Sequence, residues 1–143
     1  NKAGYVDFYN THAHAGYGGT EYDEDRKAQM LDLSRFVDAS GLKVAPAIVV
    51  GDMNCRPGSD AFNTATQKGR LERLMDCMSE IDHIFGVQNG QYTFSVLNTQ
   101  PIQKLIKIGK ARQTPLSDHT GYMSTIKIEP IRTIAEVGPV PVS

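Results

Sequence analysis

The sequence has 143 residues, of which 15 are basic and 16 acidic, so that its formal net charge at pH 7 is −1. Apolar residues make up 40% of the chain and charged residues 22%, which is typical of a globular domain with one core. No apolar stretch approaches the ~18 residues of a membrane-spanning helix. The balanced charge disfavours both a disordered chain and a strongly basic nucleic-acid-binding domain. The two cysteines, Cys55 and Cys77, cannot form a disulfide framework and lack the paired spacing of a zinc site.

The first half of the chain predicts two strands on either side of a helix. Residues 5–10 are rich in β-branched and aromatic types, which favours a strand. In residues 23–39 apolar side chains recur at offsets of three and four, which predicts an amphipathic helix that begins with acidic residues and ends at Gly41. Residues 47–50 form a short apolar run, which is typical of a strand buried on both faces.

The second half predicts one helix and three strands. We expect the helix within residues 59–75, with Ser59 as its N-cap and with three apolar side chains facing inward, namely Leu71, Leu74 and Met75. Strands are predicted at residues 81–87, 92–97 and 121–128, and Asn89–Gly90 forms a turn between the first two. The order of elements predicts a layered α/β protein with a mixed sheet, followed by a surface tail at residues 129–143.

Polar and ionisable residues cluster where the predicted strands begin or end. These clusters are Asn10-Thr11-His12, Gly51-Asp52-Met53-Asn54 and Ser117-Asp118-His119. In open α/β sheets, ligand sites form in the loops beyond the strand ends, so the clusters can converge. Considered separately, two of these residues also have an ordinary structural explanation. His12 can be a hydrogen-bonded half-buried histidine, and Asp52 can form a turn.

Asp82 is harder to explain structurally, because it lies in the apolar segment 81–85. A buried carboxylate is costly unless a charged or hydrogen-bonding group accompanies it, and a histidine is a natural partner. The adjacent His83 points to the opposite face of a regular strand, so His12 or His119 is the better candidate.

Four segments, in this order, resemble the C-terminal half of the endonuclease/exonuclease/phosphatase superfamily, the fold of deoxyribonuclease I. They are N-T-H from residue 10, G-D-M-N from 51, I-D-H-I-F from 81 and P-L-S-D-H from 115. Within the superfamily, residues 11–15, 51–57 and 114–119 are most similar to neutral sphingomyelinases. The resemblance implies half of a DNase I-like four-layer α/β sandwich with mixed β-sheets in residues 1–128.

The resemblance also implies a metal-dependent phosphodiester hydrolase that uses Mg²⁺ or another divalent cation such as Mn²⁺. In that scheme His119 is the general base, Asp82 orients it, and His12 donates a hydrogen bond to a phosphoryl oxygen. The turn after the second strand supplies two groups, since Asp52 binds the metal or the water and Asn54 binds phosphate. Asp118 is the second metal ligand.

Two further features follow from the resemblance. It implies an N-terminal half that completes the sandwich and brings an asparagine and the main metal-binding glutamate, so that half is an expected partner. Because packed sheets bury their inner faces against each other, we expect this chain by itself to expose a wide apolar face formed by residues such as Ile48, Val50, Ile84 and Ile126. The resemblance also implies a longer substrate-facing loop than residues 76–80 provide between the predicted helix and the Asp82 strand.

Three functions stay open on the sequence. The first is a sphingomyelinase-like hydrolase that releases phosphocholine from sphingomyelin, the second is a nuclease of the DNase I or apurinic type, and the third is an inactive binding module of the same fold. Residues 98–117 contain lysines and arginine but no acidic residue. They predict either a solvated basic loop or an electropositive rim that attracts a phosphodiester or an anionic membrane surface.

Overall fold

The computed structural model describes residues 4–16, 19–42, 44–75, 80–108 and 112–131. In chain order, the elements are β1 (Asp7–His12), α1 (Asp23–Ser40), β2 (Ala47–Asp52), α2 (Asp60–Asn63), β3 (Leu71–Arg73), β4 (Asp82–Val87), β5 (Tyr92–Ile102), β6 (Leu105–Ile108), β7 (Arg112–Pro115) and β8 (Gly121–Pro130). A π-helical turn, Thr64–Lys68, continues α2. The predicted α/β class with mixed strand directions is confirmed. None of the described helices is long and apolar enough to cross a membrane.

A four-stranded sheet in the order β1-β2-β4-β3 forms the centre of the molecule. β1 and β2 run parallel, whereas β4 is antiparallel to both β2 and β3. The ends of β1 and β2 therefore meet the start of β4 at one edge of the sheet. The register aligns His12 with Asp52 and Asp52 with Asp82, so three of the predicted site residues form a single row across this edge.

Both faces of this sheet are covered, as the apolar run at residues 47–50 predicted. On one face, α1 and α2 pack against Val49 of β2 and Phe85 of β4, and both of these side chains are fully buried. On the other face, the two-stranded ribbon of β5 and β8 brings Phe94 onto Ile48 and Leu74. The first residues of β2 are therefore buried one after another, without the alternation of buried and exposed residues seen in a strand with one solvent face.

The prediction of one helix across residues 59–75 is wrong in its second half. Ser59 does cap α2, because its hydroxyl accepts the backbone N–H of Phe62 at 3.3 Å. The helical path stops at Lys68, and Arg70 then adopts a positive φ of 53° that redirects the chain into β3. Leu71 and Leu74 are buried, but in the two different clusters on opposite faces of the sheet. A spacing of three residues places side chains on one face of a helix and on opposite faces of a strand, which is why the pattern misled.

Other boundaries also differ from the predictions. β8 continues through Glu129 and Pro130, which pair with Thr93 and Tyr92, so the first two residues of the predicted tail belong to the ribbon. Residues 132–143 lie outside the described residues, as do residues 76–79 in the short connection before β4. Gly90 has the positive φ expected of the turn, but the strands on either side of it belong to different sheets. Within residues 98–117, a β6–β7 hairpin and the end of β5 replace the predicted loop.

Candidate active site

The row of site residues places one histidine beside two carboxylates. The His12 Nε2 atom lies 3.5 Å from Asp52 Oδ2, and the His12 side chain is largely exposed to solvent. Asp52 and Asp82 are half-buried on neighbouring strands. Because residues paired in register project from the same side of a sheet, all three side chains lie on one side of it. Asp52 and Asp82 line one cleft, whereas His12 lies at its border and lines a separate depression beside α1.

His119 completes the cleft from the segment that precedes β8. Its Nδ1 atom lies 3.0 Å and 3.2 Å from the two carboxylate oxygens of Asp82, so the partner expected for that half-buried carboxylate is present. The hydrogen bond from the ring and the charge of Asp82 raise the pKa of His119 above its usual value, and the charges of Asp52 and Asp118 act in the same direction. The opposite ring atom, Nε2, faces Asp52 Oδ2 at 3.8 Å.

The turn that follows β2 orients Asp52. Its Oδ1 atom accepts the backbone N–H of Asn54 at 2.8 Å, whereas Oδ2 is the atom that faces His12 and His119. Asn54 has a positive φ of 47°, a conformation that asparagine tolerates better than most residues. Its side-chain amide donates to the carbonyl of Ala13 at 2.9 Å and so ties this turn to the end of β1.

A compact group of potential metal-ligand atoms lies in the same cleft. Within the described part of the chain it consists of Asp52, Asp82 and His119, whose ligand atoms lie within 4.8 Å of one another. Asp118, the second ligand that the sequence predicts, is not in this group. It is exposed, and its carboxylate accepts a hydrogen bond of 3.4 Å from the Ser117 hydroxyl. The metal-binding role of Asp118 stays a prediction.

The two remaining histidines lie outside the cleft. His14 packs its ring against Tyr22 at a centroid distance of 4.3 Å. His83 is 1% exposed and points to the helix-covered face, between Phe62 and Phe85. Burial lowers the pKa of His83 and favours the neutral ring. On the same side, burial raises the pKa of the free thiol of Cys55 to about 11.

An apolar cavity of about 700 Å³, which was not predicted from the sequence, opens beside the cleft. Its polar end contains Asp52, Asp82 and His119. Its apolar walls come from β1, β2, β4 and β8 and from the residue before β1: Val6, Phe8, Ile48, Val50, Ile84, Tyr122, Met123 and Ile126. The alternating pattern of β8 is the sequence feature that could have predicted this cavity, because Tyr122, Ser124 and Ile126 face the same side of the strand.

The expectation that Ile48, Val50, Ile84 and Ile126 form a wide exposed face is wrong. Ile48 is buried and the other three are half-buried, because the β5–β8 ribbon packs over them. Three apolar side chains that line the cavity are nevertheless exposed and form its rim. They are Val6 at 47%, Phe8 at 66% and Met123 at 46%.

Comparisons with solved structures identify the architecture. An endonuclease/exonuclease/phosphatase family protein from Bacteroides thetaiotaomicron superposes with a TM-score of 0.60 at 19% identity, over 85% of this chain and 48% of that one. The sphingomyelinase C from Streptomyces griseocarneus gives a TM-score of 0.52 at 18% identity, over 87% and 52%. The chain has about half of the DNase I-like fold. A Staphylococcus aureus beta toxin solved with bound magnesium ions gives 0.50 at 18% identity, over 82% and 51%.

One curated relative extends the resemblance to sequence. A Drosophila melanogaster protein described as "Putative neutral sphingomyelinase" is 27% identical over 90% of this chain and 36% of its own length. No protein-family profile matches the chain. The chain therefore spans about a third of this relative and about half of the solved structures named above.

Proposed function

We propose that this chain forms part of a divalent-metal-dependent phosphodiester hydrolase of the sphingomyelinase type, which releases phosphocholine from sphingomyelin. The observation that carries the proposal is the arrangement of His119. One ring nitrogen is held by Asp82 at 3.0 Å, and the other faces the Asp52 carboxylate at 3.8 Å. The similarity to the curated relative supports the substrate class.

This arrangement suits the activation of a water molecule. Because Nδ1 donates to Asp82, the neutral ring presents the lone pair of Nε2 toward Asp52. A water bound between Asp52 and Nε2 can attack phosphorus while its proton passes to Nε2. Asp82 stabilises the imidazolium that results, as the carboxylate of a catalytic triad does. The bond from phosphorus to the ceramide oxygen then breaks, and that oxygen takes up a proton from solvent as ceramide leaves. The His119 imidazolium returns its proton to solvent, which restores the neutral base.

Two residues are assigned to the phosphate group. His12 projects from the same row, is well exposed and can donate to a phosphoryl oxygen. Asn54 orders the Asp52 turn through its backbone N–H, and its amide is proposed to bind phosphate beside the bond that it makes to Ala13. These donors would offset the negative charge that develops on the phosphoryl oxygens.

The donor set fits Mg²⁺ or Mn²⁺ with Asp52 as a carboxylate ligand. The hydrogen bond to His119 engages both oxygens of Asp82, which leaves Oδ2 of Asp52 as the carboxylate oxygen that faces the cleft. Asp118 is proposed as the second ligand. A bound divalent cation supplies charge neutralisation for the phosphoryl oxygens.

The apolar cavity beside the site supports the proposal of a partner segment. We propose that the N-terminal half of the same domain packs against its exposed rim, which includes Val6, Phe8 and Met123, and adds a metal-binding glutamate. Two packed sheets bury their inner faces against each other, so an apolar surface next to the catalytic groups is the expected place for the second half.

The β6–β7 hairpin supports a contact with a membrane surface. Lys104 and Lys107 lie beside the exposed side chains of Leu105 and Ile106, in a region without acidic residues. Cations attract an anionic surface, and exposed aliphatic groups gain free energy when they enter its interfacial region. The same cations would also attract a nucleic acid, which keeps a DNase I-like or apurinic-type nuclease as the second candidate function.

The test compares two substrates with one preparation of the complete natural protein. We expect Mg²⁺-dependent release of phosphocholine from sphingomyelin vesicles, loss of this activity in EDTA, and its return with excess Mg²⁺. His119→Ala should lower kcat by at least ~10² without loss of the fold, whereas the control His14→Ala should retain nearly full activity. Cleavage of plasmid DNA without sphingomyelin hydrolysis would replace the proposal with the nuclease. A folded protein that hydrolyses neither would favour a binding module.

A further inference from the structure

His83 is a buried ionisable residue that the proposed chemistry does not use. It follows Asp82 in β4, but its side chain lies on the opposite face of the sheet and is 1% exposed. The ring packs between Phe62 and Phe85, with a centroid distance of 5.2 Å to each. A phenylalanine would serve such packing without the cost of burying two polar nitrogens, so the two nitrogens need an explanation.

Both ring nitrogens of His83 have definite partners. Arg73 Nε lies 3.3 Å from Nδ1, and because a guanidinium can only donate, Nδ1 is the acceptor. The proton of the neutral ring is therefore on Nε2, which donates to the backbone carbonyl of Cys55 at 2.8 Å. Arg73 thus fixes the tautomer, and the tautomer fixes the direction of the second hydrogen bond.

The carbonyl that His83 holds belongs to the turn that orients Asp52. Cys55 directly follows Asn54, whose backbone N–H donates to Asp52 Oδ1 at 2.8 Å. Met53 in the same turn donates its N–H to the carbonyl of Ile81, one residue before Asp82. Two hydrogen bonds therefore join this turn to the start of β4, one through the main chain and one through the His83 ring.

We infer that His83 is a positioning residue, which acts through the Cys55 carbonyl to hold the Asp52 turn against the strand that carries Asp82. The distance between Asp52 and the His119–Asp82 pair depends on how the turn sits relative to β4. Without the bond from His83, the main-chain bond of Met53 alone joins the described part of the turn to the start of β4, while Asn54 still ties the turn to Ala13 at the end of β1. The turn can then shift relative to β4. The inference rests on the proposed function only for its kinetic consequence, because the geometric consequence is independent of the substrate.

The test uses three substitutions in the complete natural protein. His83→Phe keeps an aromatic ring between Phe62 and Phe85 but lacks the donor. His83→Gln places an amide nitrogen the same number of bonds from Cβ as Nε2 and can restore the bond. The matched control is Phe85→Leu, which disturbs the same buried cluster without touching the Cys55 carbonyl.

Two measurements are made on each variant: the NMR resonance of the Asn54 amide and the kinetics of phosphodiester hydrolysis. His83→Phe should shift the Asn54 resonance and lower kcat about tenfold, which is the effect of one buried hydrogen bond, with little change in KM. His83→Gln should recover most of both losses. Phe85→Leu should lower the stability but leave both measurements near the wild-type values.

An unshifted Asn54 resonance in His83→Phe, or equal kinetic losses in His83→Phe and Phe85→Leu, would overturn the inference and make His83 a packing residue only. If His83→Phe does not fold, Arg73→Met replaces it. This change at a half-buried residue removes the donor to Nδ1 and lets the ring take its other tautomer, so the Asn54 resonance should again shift. The NMR measurement decides the inference even where sphingomyelin proves to be the wrong substrate.

Discussion

At the scale of single residues, the two ring nitrogens of His119 are in different environments. Nδ1 is within hydrogen-bonding distance of Asp82, while Nε2 is 3.8 Å from Asp52, too far for a direct hydrogen bond and close enough for a bridging water. Asp82 is the main reason that the pKa of His119 is raised. The residue that orients the base therefore also sets the pH at which the base becomes neutral.

Asp82→Asn tests this coupling through the pH dependence of kcat/KM. A general base works in its neutral form, so activity should rise with pH through the raised pKa of His119. Without the Asp82 charge that pKa falls, and the acidic limb of the profile should move to lower pH. The maximal kcat should also fall by roughly 10²–10⁴, because the imidazolium loses its partner.

The same substitution should affect stability in one pH range only. Since the pKa of His119 is raised on folding, the ion pair stabilises the folded state fully below the unfolded pKa of about 6.5 and loses this effect as pH rises through the folded pKa. The stability loss of Asp82→Asn should therefore be larger at pH 5.5 than at pH 8. Asp32→Asn, at an exposed ion pair of α1, is the control. In the kinetic measurement, an acidic limb of the kcat/KM profile that does not move in Asp82→Asn would contradict the assignment of His119 as the base.

At the scale of elements, the junction of β1 and β2 determines where the cleft forms. Gly51 precedes Asp52, has a φ of 141°, and approaches β1 so closely that a Cβ at this position would overlap the carbonyl oxygen of Thr11. Glycine allows this backbone conformation and this approach, and both allow Asp52 to end the strand opposite His12. The geometry of the row thus depends on a residue without a side chain.

Gly51→Ala should therefore destabilise the protein by roughly 3 kcal/mol or more, since an unfavourable φ and a steric overlap act together. Gly90→Ala is the matched control, because Gly90 also has a positive φ, of 76°, but has open space where a Cβ would be. Gly90→Ala should lower the free energy of unfolding by about 1–2 kcal/mol, because only the unfavourable φ contributes. Urea denaturation of both variants gives the comparison. Equal losses would show that the approach to Thr11 is unimportant.

At the scale of the whole molecule, the uneven cover of the central sheet is the main feature. The ribbon of β5 and β8 protects Ile48 and Leu74, but it leaves the rim of the cavity open where Phe8 and Met123 are exposed. Three of the predicted catalytic residues, Asp52, Asp82 and His119, lie at the polar end of this same cavity, whereas His12 and Asn54 line separate depressions. An exposed apolar rim next to polar groups is typical of an interaction surface, which supports the proposal that a second half of the domain packs there.

The proposed partner half leads to a test with residues 1–143 produced alone. We expect this fragment to bind a hydrophobic dye, to aggregate, and to show no phosphodiesterase activity in Mg²⁺. Phe8→Ser should make the fragment more soluble, and in the complete natural protein it should lower stability. Leu97→Ser is the control, because Leu97 is similarly exposed at the β5 bulge and does not line the cavity. A soluble, cooperatively folding and active fragment would refute the proposal.

Much of the candidate site was predictable from the sequence because it depends on local rules. Side chains of adjacent strand residues point to opposite faces, which excluded His83 as the partner of Asp82 and indicated His12 or His119. The hydrogen bond to His119 is present in the structure. Strand ends carry polar residues because the chain there leaves the core, so the clusters at the ends of β1 and β2 were visible before their geometry was known.

Only the tertiary structure decided which surfaces meet. Leu71 became part of a strand rather than a helix because its backbone pairs with Val87 of β4, a contact between residues far apart in the chain. The hydrogen bond from His83 to the Cys55 carbonyl has the same origin, since no pattern in the sequence predicts which buried ring faces which turn. Periodicity determines the face on which a side chain lies, whereas strand order and register determine its neighbours. The alignment of His12, Asp52 and Asp82 in one row is a property of that register alone.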